Sequence, residues 1–278
     1  RREMLKTERH ANNVWNKLKE TNSHDRSCDC CCHGFIAVLS PVLAPYDPDE
    51  IHPLDAFLKP FSEGHIFGTD QFGRDLLSRV IYGARVSLIV AAGGTFVGGI
   101  IGVLLADCRF MGGIVDSIIM RIMDGFLSFP FVLLSIILMT VLGQGLINVI
   151  IAIGIGNIPS FARGCGEVHI VKNEEYCNAC RVIGVSNTRL LFTHILPNAI
   201  SPIIVYATLN VASAIISEAA LSFLGLGIAA PTASWGSILR EGKSSLTTAP
   251  FVATISGAFI LITVLGFNLF GDGIRDVL

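Results

Sequence analysis

The sequence predicts an all-α, polytopic membrane protein with about six transmembrane helices. Three observations lead there. Only 42 of the 278 residues are charged, 15%, where an ordinary soluble domain carries roughly 25%. Apolar residues make up 51%, with 28 glycines and a mean hydropathy of +0.62. Charge-free runs long enough to cross a bilayer recur along the chain, which argues against a soluble enzyme. A net charge of −2 gives no reason to expect nucleic acid as a partner.

A spanning helix needs about 20 mostly apolar residues. Residues 86–106 are free of charge, and so are 125–162. The second run is too long for one helix, and Gly143-Gln144-Gly145 divides it into spans at 125–142 and 146–162. Two more spans fit at 195–217, ending before Glu218, and at 250–271, before Asp272. Residues 219–239 carry no charge, but Pro231, Ser234 and Gly236 interrupt them. They read as a loop or shallow re-entrant segment at the membrane surface.

Residues 163–194 hold Arg163, Lys172, Arg181 and Arg189, so the positive-inside rule makes them cytoplasmic. Counting backwards makes 107–124 inside and 47–85 outside. The basic segment 1–27 also belongs inside, which requires a weak first span at 28–46. With six spans, 14 Lys and Arg fall inside and 6 outside, and both termini are cytoplasmic. Residues 1–27 show no signal-peptide cleavage pattern and read as a cytoplasmic tail. The chain thus divides into that tail, the weak span 28–46, an outer loop 47–85, and a core 86–278 with five spans and an inner loop at 163–198.

In the outer loop, Phe72, Leu76, Leu77, Val80 and Ile81 fall on one helical face. Thr69 or Asp70 can cap that helix, and Asp75 and Arg79 form an i,i+4 pair on its wetter side. The pattern predicts an amphipathic helix at the outer interface, leading into the second span. In that span Gly94, Gly98 and Gly102 repeat every four residues. Such a stripe lets helices approach closely in lipid, where association relies on packing; the partner is a helix of this chain or of another.

The inner loop is the most informative stretch. Asn173 can cap a helix whose first turn carries Glu174 and Glu175. Tyr176, Ala179, Cys180 and Ile183 follow on one face, and Gly184 ends it. A short capped amphipathic helix suits a groove on another protein or this chain's own spans, and physics alone leaves both open. Of eight cysteines, Cys28, Cys30, Cys31 and Cys32 cluster beside His33, and Cys177 and Cys180 have C-x-x-C spacing without the βαβ context of a redox motif. The simpler readings are a degraded or lipid-modified first span and two small residues on one helical face. No metal site is assigned.

At this loop the sequence resembles a known family. Glu175-Tyr176-Cys177-Asn178-Ala179-Cys180-Arg181-x-x-Gly184-Val185-Ser186, followed by His194-Ile195-Leu196-Pro197-Asn198, resembles the cytoplasmic loop of bacterial ABC importer permeases. It is most similar to the C-type subunit of dipeptide, oligopeptide and nickel systems. Three further blocks agree: Phe67-Gly68-Thr69-Asp70-x-x-Gly73-Arg74-Asp75; Leu221-Ser222-Phe223-Leu224-Gly225-Leu226-Gly227 with Pro231 to Gly236; and Gly266-Phe267-Asn268-Leu269-Phe270-Gly271-Asp272-Gly273. The resemblance covers roughly residues 40–278.

The resemblance implies the type I ABC importer permease architecture in a bacterial cytoplasmic (inner) membrane. It implies a transport subunit, not an enzyme, for a peptide-like or other small solute, with a nickel or metal-chelate importer as the alternative within the family. The implied partners are a second homologous permease, two cytoplasmic ATPases that carry ATP and Mg, and an extracytoplasmic solute-binding protein. No G-x4-G-K-[ST] occurs in this chain, which itself binds no cofactor on this reading. The implied ATPase-docking positions are Glu175, Tyr176, Ala179, Cys180, Gly184 and Pro197. The family's loop motif, often written Glu-Ala-Ala-x3-Gly, reads Asn178-Ala179-Cys180-x3-Gly184 here, which removes one acid and enlarges one small residue.

Place in the fifth span singles out Ser213, Ser217 and Glu218 for the translocation path. Two readings from other classes compete. A membrane thiol or metal-handling protein would use the cysteine clusters. A channel or ion-coupled transporter would keep ionisable residues within its spans, and the five strong spans here have none.

Overall fold

The computed structural model describes residues 40–62, 64–108, 113–164, 182–185, 187–190, 193, 197 and 199–277. Its described secondary structure is helical: α1 (Leu76–Cys108), α2 (Gly113–Leu127), α3 (Phe131–Leu142), α4 (Leu146–Gly164), α5 (Ile200–Phe223), α6 (Trp235–Ser244) and α7 (Pro250–Val277), with short turns at Ser40–Leu43, Pro53–Asp55 and Asn187–Leu190. Among the described residues, four helices are long and apolar enough to cross a membrane, or five if the bent pair α2–α3 is one span. The predicted first span lies largely outside the described residues, and only Ser40–Leu43 of it is seen as helix.

The 33 residues of α1 extend about 50 Å at 1.5 Å per residue, well beyond a hydrocarbon core of about 30 Å. Its first turns therefore carry a layer outside the spans. The expected amphipathic helix leading into the second span is thus the start of α1 itself, and it begins at Leu76 rather than at Phe72. Phe72 precedes the helix and is exposed, whereas Asp75 and Arg79 are buried and do not pair with each other. The helix is capped by neither Thr69 nor Asp70. Asp75 does this, its carboxylate accepting from the Ser78 backbone N–H and hydroxyl, both at 2.8 Å.

The expected span 125–142 is also corrected. α2 ends at Leu127, α3 begins at Phe131, and the two are bent by 91°. The reason is Pro130: it has no N–H to continue the helix, and it drives Phe129 out of the α region. The break at Gly143 falls where the sequence puts it, with φ +79 there and the Asn148 amide donating to the Leu142 carbonyl at 2.8 Å. The fifth span continues through Glu218 to Phe223. Of the supposed loop 219–239, Trp235 to Leu239 instead open a helix whose N-terminus is capped by a Ser234–Ser237 capping box.

The core lies between α1, α4, α5, α6 and α7 and includes Leu76, Val80, Ile153, Ile215 and Trp235. α1 packs on α4 along its glycine stripe. A Cβ on Gly94 would stand 2.7 Å from Ile153 Cγ2, and one on Gly98 2.7 Å from both Asn157 Cβ and the Gly154 carbonyl oxygen. One on Gly102 would stand 2.4 Å from Phe161 Cβ. Backbones this close gain dispersion contacts, which hold helices together where both lipid and side chains are apolar. Elsewhere on α1, Phe96, Ile100 and Leu104 stay exposed.

Candidate functional site

The polar side chains collect at three levels. The first, at one end of the helices, is built by the stretch Phe67 to Asp75. Gly68 and Gly73 have φ of +77 and +74, and a Cβ there would strike the Leu58 carbonyl oxygen at 2.2 Å and the His52 carbonyl oxygen at 1.8 Å. Only glycine fits this folded-back turn. Between them, the Thr69 hydroxyl accepts from Leu58 N–H at 2.8 Å and donates to the Asp55 carbonyl. The Asp70 carboxylate accepts from the backbone N–H groups of Phe72 and Arg74 and from Arg74 Nε at 2.6 Å.

Two buried guanidinium groups then share one carboxylate from α6. Arg74 Nη2 donates to Glu241 at 2.9 Å, and Arg79 Nη2 donates to it at 3.2 Å. Arg79, 1% exposed, also donates to the Pro48 carbonyl at 3.2 Å and faces Asp49 and Asp70 at 3.6 and 3.5 Å. Buried charges persist only when paired and hydrogen-bonded in this way. His65 pairs with Asp75 at 2.8 Å. The loop before α1, the start of α1 and α6 are thereby clamped together.

The second level lies deeper. Glu218, on α5, is fully buried. Its two oxygens accept from Ser87 on α1 at 2.8 Å and from Ser222 at 2.7 Å. The Ser87 hydroxyl oxygen in turn accepts from the Trp235 backbone N–H at 3.3 Å. Trp235 Nε1 donates to the Val80 carbonyl, and Ser256 on α7 donates to the Trp235 carbonyl. Four helices thus meet around one carboxyl group. This corrects the reading of Glu218 as a path residue: it faces the interior of its own subunit. Ser213 is exposed and Ser217 partly so. The Ser217 hydroxyl donates to the Ser213 carbonyl one turn back, at 2.8 Å.

The third level is the opposite end, where Arg163 of α4 pairs with Asp124 of α2 and both are half exposed. Of the six docking positions, Glu175, Tyr176, Ala179 and Cys180 lie outside the described residues. So do the cysteine cluster 28–32 and Cys177. Gly184 has φ +82 with open space where a Cβ would stand, and Pro197 is exposed. Val182 and Ile183, immediately before the turn, are 87% and 77% exposed.

Two of the four motif blocks fall on these contacts, and a third packs α7 against α5. The Phe67–Asp75 block forms the clamp, Leu221–Gly227 with Pro231–Gly236 surrounds Glu218, and in the last block a Cβ on Gly271 would stand 2.9 Å from Thr208 Oγ1 of α5. Residues 98–278 match the family described as "Binding-protein-dependent transport system inner membrane component". The chain belongs to this family.

Relatives in the family extend the match. The chain is 42% identical over 245 residues to the glutathione transport system permease protein GsiD of Escherichia coli O6:K15:H31, covering 87% of this chain and 81% of that one. It is 42% identical over 246 residues to GsiD of Salmonella paratyphi A, covering 88% and 81%. Among solved structures, it is similar to inward-facing MetNI methionine ABC transporter chains, with a TM-score of 0.60 at 21% identity over 73% of this chain and 98% of that one. An amino acid ABC transporter gives a TM-score of 0.57 at 15% identity over 73% and 95%. At such identities these structures support the fold alone, and they agree with a type I permease architecture.

The family is a multi-pass membrane component of transport systems rather than an enzyme, and it works with a solute-binding protein. These relatives do not favour a thiol or metal-handling role. Sequence reasoning missed Glu241, Ser87 and Trp235. The available signal was two arginines, Arg74 and Arg79, twelve and seven residues before the span at 86–106, with only Asp70 and Asp75 as acids close to them in sequence.

Proposed function

We propose that the chain is the permease subunit of an ATP-driven importer that carries a peptide-like solute inward by alternating access. The observation that carries this reading is 42% identity to glutathione permeases across 87% of the chain. It also favours a peptide-like cargo over nickel or a metal chelate.

The remaining assignments follow from this reading. Residues 47–85 face outward, the basic loop 163–198 faces the cytoplasm of a bacterial inner membrane, and both termini are cytoplasmic. The chain pairs with a second homologous permease. Two ATPases bind ATP and Mg and receive the loop helix through Glu175, Tyr176, Ala179, Cys180, Gly184 and Pro197. Exposed Val182 and Ile183 add apolar contact beside Gly184. Ser213 and Ser217, on a face of α5 left open by this chain, border the path. ATP-driven closure of the ATPases would rock the permease halves between inward- and outward-open states, with the clamped outer layer moving as one body.

The test is co-purification in mild detergent, comparing wild type with Gly184→Val, whose β-branched side chain scarcely enters the left-handed region that φ +82 requires. Two ATPases and a second permease should accompany wild type, and the ATPases should be lost from the variant. A wild-type chain that purifies without ATPases would contradict the importer reading.

A further inference from the structure

A second apolar cluster lies at the Arg163 end of the helices, apart from the main core. Leu190 and Ala199 are fully buried there with Phe161 of α4 and Ala106 of α1, and Val185, Ile203 and Tyr206 pack against them. Three long helices and part of the inner loop therefore share one small core.

The loop turns over where it enters this core. Val182 and Ile183 are 87% and 77% exposed, Gly184 follows at φ +82, and Val185 then packs into the cluster, as Leu190 does. The described residues of 182–190 thus present apolar side chains outward on one side and are anchored by apolar side chains on the other. A displacement applied at Val182 and Ile183 has a short, packed route into the helices.

What that displacement moves depends on how α4 and α5 are joined, and Tyr206 of α5 joins them by three contacts. Its hydroxyl donates to the Ser160 carbonyl at 2.9 Å. Its ring meets Phe161 edge-on, with centroids 5.1 Å apart. The same ring lies over Gly164, the last residue of α4, where a Cβ would stand 2.4 Å from Tyr206 Cζ. Contacts this close leave no slack, and a close-packed interior passes strain on rather than absorbing it.

We propose that Tyr206 is the positioning residue that couples the inner loop to the transport motion. It locks the last turn of α4 to α5, so that a displacement entering through Val185 and Leu190 moves both helices together. The proposal rests on the importer reading and on its placement of the ATPases at the loop.

The test uses the assembled transporter in proteoliposomes, with radiolabelled glutathione as probe, and reads glutathione carried per ATP hydrolysed at matched amounts of complex. Tyr206→Ala should keep its ATPases and their hydrolysis, while transport per ATP falls at least about fivefold, the low end of ordinary coupling between sites. Tyr206→Phe, which loses only the hydroxyl, should fall less. Gly164→Ala, which pushes a methyl into the ring, should shift the ratio in the same direction. Phe259→Ala, which removes a ring packed on the main core, is the control: it should lower stability and leave the ratio unchanged. An unchanged ratio in both Tyr206→Ala and Gly164→Ala overturns the proposal, and so does a parallel loss of hydrolysis and transport. Hydrogen exchange with and without ATP and vanadate decides the question without any cargo. Trapping should alter exchange at 182–190 in wild type and Tyr206→Ala alike, but over Ser213–Phe223 of α5 in wild type only. An equal response of α5 in both overturns the proposal. A wild-type chain that purifies without ATPases would instead mark failure of the importer reading itself.

Discussion

Ser87 donates its hydroxyl to the Glu218 carboxyl group at 2.8 Å, joining α1 to α5 across 131 positions of sequence. Ser222 donates to the other oxygen, and the carboxyl group is fully buried. Removing it strands two hydroxyls and opens a hole beside Trp235. Glu218→Ala should therefore destabilise the purified subunit by about 2–4 kcal/mol, the range for a buried polar group lost with its volume. Glu218→Gln keeps the volume and an acceptor and should cost less than half as much. Thermal unfolding in detergent gives the comparison; equal loss in both variants would deny the hydrogen bonds their part.

Glu241 should matter more than its place on a short helix suggests. It is the α6 carboxylate that bridges Arg74 and Arg79, which are 5% and 1% exposed. Breaking a buried ion pair by deleting one partner costs about 3–5 kcal/mol. Glu241→Ala should approach that range, softened by Asp70, which stays beside both guanidinium groups. Arg79→Lys should not restore the network, because one ammonium cannot serve Glu241 and the Pro48 carbonyl together. Asp124→Ala, at the half-exposed pair with Arg163, is the control and should cost less than about 1 kcal/mol. Unfolding midpoints at low and high salt test both, with only the control pair sensitive to salt.

The glycine stripe makes a prediction of opposite sign at two glycines. Gly98→Ala places a methyl 2.7 Å from the Gly154 carbonyl oxygen and from Asn157 Cβ. α1 and α4 must then separate, at a cost of about 1–3 kcal/mol. Gly125, near the end of α2, has nothing within 4 Å of a built Cβ. Gly125→Ala should leave stability unchanged or raise it by about 0.5–1 kcal/mol through lost backbone freedom in the unfolded chain. Paired unfolding curves decide; a larger loss at Gly125 than at Gly98 would contradict the packing described.

The sequence made the spans legible because charge is excluded from lipid, and Gly143, Asn148 and the stripe at 94–102 signal their roles through residue type alone. Other features were hidden for definite reasons. Asp75 and Arg79 have helical spacing, so they look like a surface pair; their actual partners, His65 and Glu241, are set by tertiary folding. Pro130 was present to be read, but hydropathy runs smoothly across it and masks the elbow. Glu218 looked like a lone polar residue near the end of a span, because Ser87 lies far away in sequence. The Asp75 cap was obscured by Thr69 and Asp70, equally good capping residues placed one turn too early.

Gly184 separates two explanations of why a glycine stands at this position. Open space surrounds the position, so size is no obstacle, but φ is +82. If the backbone conformation is what matters, residues should rank by their tolerance of the left-handed region. Asparagine enters it more readily than other residues with a side chain, and β-branched valine scarcely at all. Gly184→Asn should then retain most ATPase co-purification and transport, Gly184→Ala less, and Gly184→Val almost none. If instead the ATPase cleft requires the absence of a side chain, the larger asparagine should be worse than alanine. The order of asparagine and alanine in a co-purification assay, at matched levels of membrane-inserted protein, therefore distinguishes a conformational requirement from a steric one.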